Sequence, residues 1–319
     1  MSSQAGQSNY RKLCQEHWVP IHSQDWWFDA VCGAEGWGAS VLQNKDGQAI
    51  FACPYAITQR YGQTMLKNPP LTSYLTPWVQ FPEGQSLVQQ YGYLNRLVKE
   101  WEESLPKAAF HSFLFSPTWQ NGMAFHRAGY EIGTRYTYLL ENLQKGNQPW
   151  VGIKTAIRTK IRRAQKELTI AASQDYEAFS AIIDHSFRQK KLEFPLSKTR
   201  LLHLLQTLYQ REKGQVYLAR DRSGQVHAGA LVLLDGERAY YSLSGSDSSI
   251  RQSGATEALI WHILEDCIAS KRNTFDFEGS MVLNVEPVFR YFGGQLTPYL
   301  QVQQYKASWL RWIQLLRAR

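Results

Sequence analysis

The sequence predicts a mixed α/β protein built from two copies of one fold, and three observations predict it. The chain has 319 residues, about twice the usual ~150-residue domain. Its second half alternates strand-like and helix-like apolar periods in the order β-α-α-β-β-β-α-β-α-β. Its first half repeats part of that order. The turn Lys45-Asp46-Gly47-Gln48 aligns with Arg222-Ser223-Gly224-Gln225 at a constant shift, and Phe125, Gly129 and Tyr136 echo Phe289, Gly293 and Tyr299, one residue off. The expected division is a degenerate first copy over 1–148 and a second copy over 149–319.

Each element has a local reason. Asp25 to Cys32 has helical spacing, and Trp37 to Gln43 and Gln48 to Ile57 form a hairpin around Lys45-Asp46-Gly47. Ser86 to Leu105 and Trp119 to Ala128 read as helices, Ala109 to Phe115 and Glu131 to Glu141 as strands. In the second copy Leu168 to Ala172 is a short apolar strand, and Asp175 caps a helix that runs to Arg188. Ser197 caps the next helix, which Gly214 is expected to stop. Gln215 to Arg220, Gln225 to Leu234 and Arg238 to Ser244 form a meander through two glycine turns. A Gly- and Ser-rich loop follows, Gly254 opens a helix to about Ser270, and Thr274 to Glu278 is a strand. A helix over Pro287 to Phe292 ends at Gly293-Gly294, before a last strand, Tyr299 to Tyr305. The step from the meander through a helix to Thr274–Glu278 is a crossover, which makes those two strands parallel neighbours in a mixed sheet.

Composition excludes several classes. With 44% hydrophobic and 13% aromatic residues the chain can bury ordinary cores. Its longest uncharged apolar run, Ala228 to Leu234, falls far short of the ~20 residues that span a bilayer. The start, MSSQAGQSNYRKL, has no apolar core of a signal peptide. Cys14, Cys32, Cys53 and Cys267 lie far apart, so buried thiols are expected rather than a disulfide framework or a metal site. These features read as a soluble, cytoplasmic protein. The net charge of +8 lies wholly after Trp150, and Val151 to Lys166 carries six cations and no acid. Charge so concentrated points to a local anionic partner more than to a protein that coats nucleic acid.

The loop 246–256 could carry chemistry. Backbone entering a helix N-terminus offers N–H groups and a positive helix end to phosphate oxygens. Arg251, Gln252, Ser253, Gly254, Ala255 and Thr256 resemble the Arg/Gln-x-x-Gly-x-Gly/Ala pyrophosphate loop of GNAT acyltransferases, with Thr256 departing from the small last residue. The element order is also the GNAT order. The strand FDFEGS, then Val288 to Gly294 and an aromatic strand, is similar to the C-terminal signature of the Fem-type branch (FemABX, the methicillin-resistance and peptidoglycan-bridge proteins) and its acetyltransferase-like relatives. Ile161 to Lys166 resembles their linker, and Trp27 to Val31 with Pro69 to Thr72 their degenerate first domain.

The resemblance implies tandem GNAT-like (acyl-CoA N-acyltransferase) domains that move an acyl or aminoacyl group onto an amine, in the Fem-type case that of a cell-wall precursor. Acyl-CoA or aminoacyl-tRNA would be the co-substrate, with no tightly bound cofactor. The Phe-Lys pair of Fem-type proteins is here Phe289-Arg290, which keeps the charge but cannot act as a base. A long charged coiled-coil insertion, used by some members for tRNA, is not found in the sequence.

Acyl transfer needs a deprotonated amine, support for the oxyanion and a proton for the leaving group. Glu278 ends an otherwise apolar strand, and suits a base or amine-orienting group; its alternative is a structural pair with Arg290 or a helix N-terminus. Tyr291 stands seven residues after Asn284, the spacing at which the resemblance places the tyrosine that protonates the leaving thiolate; its alternative is a core tyrosine. Tyr240 and Tyr241 point to opposite faces, so one of them should line the cleft; its alternative is plain packing. On the helix over 150–167, Ile153, Ile157, Ile161, Ala164 and Leu168 form one stripe, flanked by Lys154, Arg158 and Arg162 on one side and Arg163 and Lys166 on the other. It is expected to dock between the domains, where Arg158 and Arg162 would hold a nucleotide-linked substrate; its alternative is a solvated linker. The C-terminal tail, SWLRWIQLLRAR, is basic and amphipathic, and reads either as a weak membrane-surface contact or as a helix packed on the protein.

The reading is an acyltransferase whose second domain holds the site. The carrier lies against Arg251 to Thr256, and Glu278, Arg290 and Tyr291 stand nearest the chemistry. A non-catalytic module binding a nucleotide-linked or peptide ligand is the alternative, and general nucleic-acid binding is a third.

Overall fold

The computed structural model describes residues 3–145, 148–250, 253–279, 281, 285–307 and 309–311. The chain divides into two compact units, residues 1–135 with 298–319, and 136–297.

The first unit contains α1 (Ser3–Glu16), α2 (Asp25–Cys32), β1 (Trp37–Gln43), β2 (Ala49–Arg60), β3 (Gln63–Lys67), β4 (Trp78–Val79), α3 (Leu87–Ser104), β5 (Phe110–Phe115) and α4 (Met123–Arg127). β6 (Glu131–Glu141) carries the chain into the second unit. There follow α5 (Gln148–Gly152), α6 (Thr155–Glu167), β7 (Leu168–Ser173), α7 (Tyr176–Gln189), α8 (Lys198–Gln210), β8 (Gly214–Asp221), β9 (Val226–Asp235), β10 (Arg238–Ser246), α9 (Ala255–Ala269), β11 (Thr274–Asp276) and α10 (Glu286–Tyr291). β12 (Gln295–Tyr305) returns the chain to the first unit.

The two units repeat one ladder. In the second, β8, β9 and β10 are antiparallel, β10 and β11 are parallel, and β11 is antiparallel to β6. In the first, β1, β2 and β3 are antiparallel, β3 and β5 are parallel, and β5 is antiparallel to β12. The strand that completes each ladder is thus the last strand of the other sequence copy, so the compact units differ from the sequence division at 148/149. Hydrogen-bond register, which no local pattern encodes, places these strands.

The capping reading holds in detail. The Asp175 side chain accepts from the Ala178 N–H at 3.0 Å, and Ser197 Oγ from the Arg200 N–H at 3.3 Å. Gly214, expected to stop α8, instead opens β8, because the helix has already ended at Arg211 and Glu212 takes a positive φ of 55°. The strand expected over Thr274 to Glu278 is shorter, since Glu278 also has φ of 55° and leaves the pleat. α1, β3 and β4 were not legible in the sequence. The basic helix is two pieces, with Lys154 as the N-cap of α6. Its stripe of Ile153, Ile157, Ile161, Ala164 and Leu168 is buried in the core of the second unit with α9 residues Ala255, Ala258 and Leu259. No helix among the described residues is long and apolar enough to cross a membrane.

Candidate active site

The site begins where two parallel strands part. β10 and β11 are paired over Arg238/Thr274, Ala239/Phe275 and Tyr240/Asp276. β10 then continues to Ser246 beside β9 alone, with a register shift between Tyr241 and Leu243, while the Phe277 N–H turns to the Tyr138 carbonyl at 3.0 Å. A bulge of this kind re-aims side chains. Beside the continuing end of β10 lies a cavity of about 320 Å³ whose wall includes Tyr241, Ser244, Ala228, Leu259, Val288 and Phe289, with Ser186 of α7 and its C-cap Lys190.

A second cavity of about 440 Å³ shares Ser246, Thr256 and Glu257 with the first and includes Ser253, Gly254, Ala255 and Lys160. It covers the N-terminus of α9. The first intrahelical bond there runs from the Ala258 N–H to the Gly254 carbonyl, 2.9 Å. The N–H groups of Ala255, Thr256 and Glu257 therefore have no helical carbonyl to meet; Ala255 donates to Ser253 Oγ at 3.2 Å. Gly254 caps the helix with φ of +66°, and a Cβ there would stand 3.0 Å from the Lys160 carbonyl. Only glycine lets the loop press this closely on α6. Lys160 Nζ reaches Glu257 Oε1 at 2.9 Å, which sets a cation at the mouth of the cavity. The loop is braced by Asp247, whose carboxylate accepts from Ser249 N–H and Oγ and from Gln189, 2.6 to 3.2 Å away. Those bonds, the Ser249 hydroxyl foremost, hold its pKa well below the usual carboxylate range.

Of the residues singled out in the sequence, Ser253, Gly254, Ala255 and Thr256 lie together on this wall. Arg251 and Gln252, like Asn284, lie outside the described residues. Tyr241 is the tyrosine that faces the cavity. It is only 4% exposed, and its hydroxyl makes no hydrogen bond of normal geometry among the described residues. Burial pushes its pKa up to about 12, with the Ser244 side chain acting in the opposite direction. Tyr240 is buried on the other face, near the Arg238 guanidinium, 5.9 Å from its ring; burial raises its pKa well above the usual value.

Glu278 stands at the end of β11, 5% exposed, directly after Phe277, whose ring lies 6.2 Å from that of Tyr241. Its left-handed backbone is held by Asp276, a carboxylate with 0% exposure that accepts from the Glu278 N–H at 2.9 Å and from Thr137 Oγ1 at 2.8 Å. Asp276, in the same FDFEG run, was not singled out in the sequence. Its period-two place between two buried phenylalanines was the available signal.

Glu278, Arg290 and Tyr291 do not line either cavity, and Arg290 and Tyr291 are engaged elsewhere. Arg290 Nε pairs with Glu286 Oε1 at 3.1 Å, which also takes the Tyr138 hydroxyl proton bond. The Glu286 carboxylate raises the Arg290 pKa. The Tyr291 ring has Lys154 Nζ at 4.3 Å and the Arg290 guanidinium at 5.1 Å. The glycine after α10 has a packing reason, because a Cβ on Gly293 (φ +81°) would meet the Gly152 carbonyl oxygen at 2.9 Å. Arg158 donates to Thr155 Oγ1 at 3.1 Å and Arg162 lies 5.5 Å over the Trp150 ring. The α6 cation at the cavity is Lys160, on the face that meets α9. Helix phase alone did not separate it from its basic neighbours.

Residues 153–286 match the family described as an acetyltransferase (GNAT) domain. The second unit is thus a GNAT domain, a transferase of the acyl-transfer class. The fold of the whole chain is similar to that of FemX, with TM-score 0.64 and 11% identity, covering 94% of this chain and 96% of that one. It is also similar to the C-terminal domain of a putative lysylphosphatidylglycerol synthetase from Agrobacterium fabrum (TM-score 0.59, 11% identity, 99% and 96% covered). A tandem GNAT protein from the clavulanic acid biosynthesis pathway gives TM-score 0.53 at 8% identity, 96% of each chain covered. These likenesses are of fold, and they bear out the tandem GNAT-like architecture. No curated protein matches the chain in sequence.

Proposed function

We propose that the second unit transfers an acyl group from acyl-CoA to an amine. The observation that carries this reading is the pair of cavities that share Ser246, Thr256 and Glu257, one along β10 past its last pairing with β11 and the other on the α9 N-terminus. The pyrophosphate of the carrier would take the N–H groups of Ala255 to Glu257, with Lys160 turning to it from Glu257; Arg251 and Gln252 belong to the proposal by the sequence motif alone. The thioester would enter the cavity along β10. The amine nitrogen attacks the carbonyl carbon, the C–S bond breaks, and the thiolate takes the Tyr241 phenolic proton. Tyr241 rather than Tyr291 fills this role because it lines the cavity and burial keeps it protonated. Glu278 orients the amine and takes its proton, positioned by Asp276. Site residues, acceptor and a cytoplasmic location are all part of this proposal.

The test is thiol release from acetyl-CoA and longer acyl-CoAs with a panel of amines, run beside labelled aminoacyl-tRNA. Thiol release that depends on the amine supports the reading. Transfer from aminoacyl-tRNA alone would replace the carrier. Ligand binding with no transfer from either would favour the non-catalytic module.

A further inference from the structure

The first unit has a cavity of about 850 Å³ formed by α1, the β1–β2 hairpin, β4 and the segment leading to α3. That volume falls in the ~300–1,000 Å³ range of small-molecule sites. Nothing in the transferase reading uses it. Its wall carries two pairs of rings: His17 with Trp78, centroids 4.7 Å apart at 38°, and Phe81 with Tyr93, 6.2 Å apart. The same wall carries the amides of Asn9, Gln43 and Gln80, whose side chains make no hydrogen bond among the described residues. Two further lining amides, Asn44 and Gln48, bond to each other at 3.0 Å and stiffen the hairpin rim.

Ring faces attract the polarised C–H groups of a sugar, and an amide offers a donor and an acceptor to neighbouring hydroxyls. Charge excludes the commoner anionic ligands. Lys12, the one lysine or arginine among the described residues of the wall, lies 3.7 Å from Glu16, while Asp46 and Glu83 add two more carboxylates. Phosphates and acids would meet net negative charge there. We propose that this cavity binds an uncharged carbohydrate of two or more rings, with Trp78 and Tyr93 as stacking platforms and Gln43 and Gln80 as hydroxyl partners.

Saturation-transfer NMR on the full chain tests this, with diacetylchitobiose, cellobiose and maltose as separate probes and spermidine as a cationic comparison. The expected result is transfer to the ring protons of at least one disaccharide. Trp78→Ala and Gln80→Ala should each weaken its affinity by about tenfold, with the circular dichroism unchanged. If Trp78→Ala fails to fold, the exposed pair Gln43→Ala/Gln80→Ala carries the test. No transfer to any disaccharide, transfer that survives the substitutions, or transfer to spermidine in their place overturns the proposal.

Discussion

Tyr241 and His111 show how burial alone sets what a side chain can do. The Tyr241 phenol, with its pKa pushed up to about 12, stays protonated through the neutral range and can give a proton without losing one to solvent. Tyr241→Phe is expected to lower kcat by about 10²-fold, with KM nearly unchanged; steady-state thiol release checks it, and an unaltered kcat would remove Tyr241 from the chemistry. Tyr291→Phe should leave kcat within about twofold, since the mutation keeps the ring that meets Lys154. In the first unit, burial, aided by the Lys306 cation, pulls the His111 pKa down to about 4. The unfolded chain therefore binds this proton first as pH falls, and stability is lost between about pH 6.5 and 4, on the order of 2–3 kcal/mol. Urea titrations across that window check the sign, and His111→Gln should flatten the slope.

Elements position these residues by their ends. The start of α9 is the clearest case, because one glycine supplies both the left-handed cap and the close approach to α6. Gly254→Ala should cost about 1–2 kcal/mol for the positive φ, with more from the 3.0 Å contact to the Lys160 carbonyl. The expected readout is a lower Tm together with a raised KM for the acyl carrier, because the N–H groups of the first turn shift. A lower Tm with unchanged KM would separate the cap from the phosphate site. β11 works the same way at its C-terminal end. The Asp276 carboxylate holds the Glu278 N–H, so a short strand of three residues ends in a fixed turn rather than a frayed one.

At the scale of the whole molecule, the two ladders are completed by exchanged strands. Leu300 to Tyr305 pair residue by residue with Phe115 to Phe110, and Val302 is fully buried. A chain ending at Thr297 should therefore destabilise the first unit by about 5 kcal/mol or more, through one lost ladder and several uncovered apolar side chains. Calorimetry of the shortened chain checks this, and an unshifted transition of the first unit would contradict the pairing of β5 with β12.

Much of the fold was legible because its signals are short-range. Glycine turns and the helix caps at Asp175 and Ser197 depend on residues within a few positions of one another. The same holds for the Gly254 loop, which the proposed function takes as the carrier end of the site. Other features were not local. Tyr241 and Tyr291 are both aromatic residues in apolar runs, and only the strand bulge and the cation pair around Tyr291 separate them. Lys160 is one cation among six until α9 is packed against its face. The sequence by itself determined the order of the elements from β5 onward, the duplication and the chemistry available to each loop, since these follow from period and turn type. Tertiary structure alone decided which copy's strand completes which ladder and which side chains share a cavity, because register and burial arise from contacts between residues far apart in the chain.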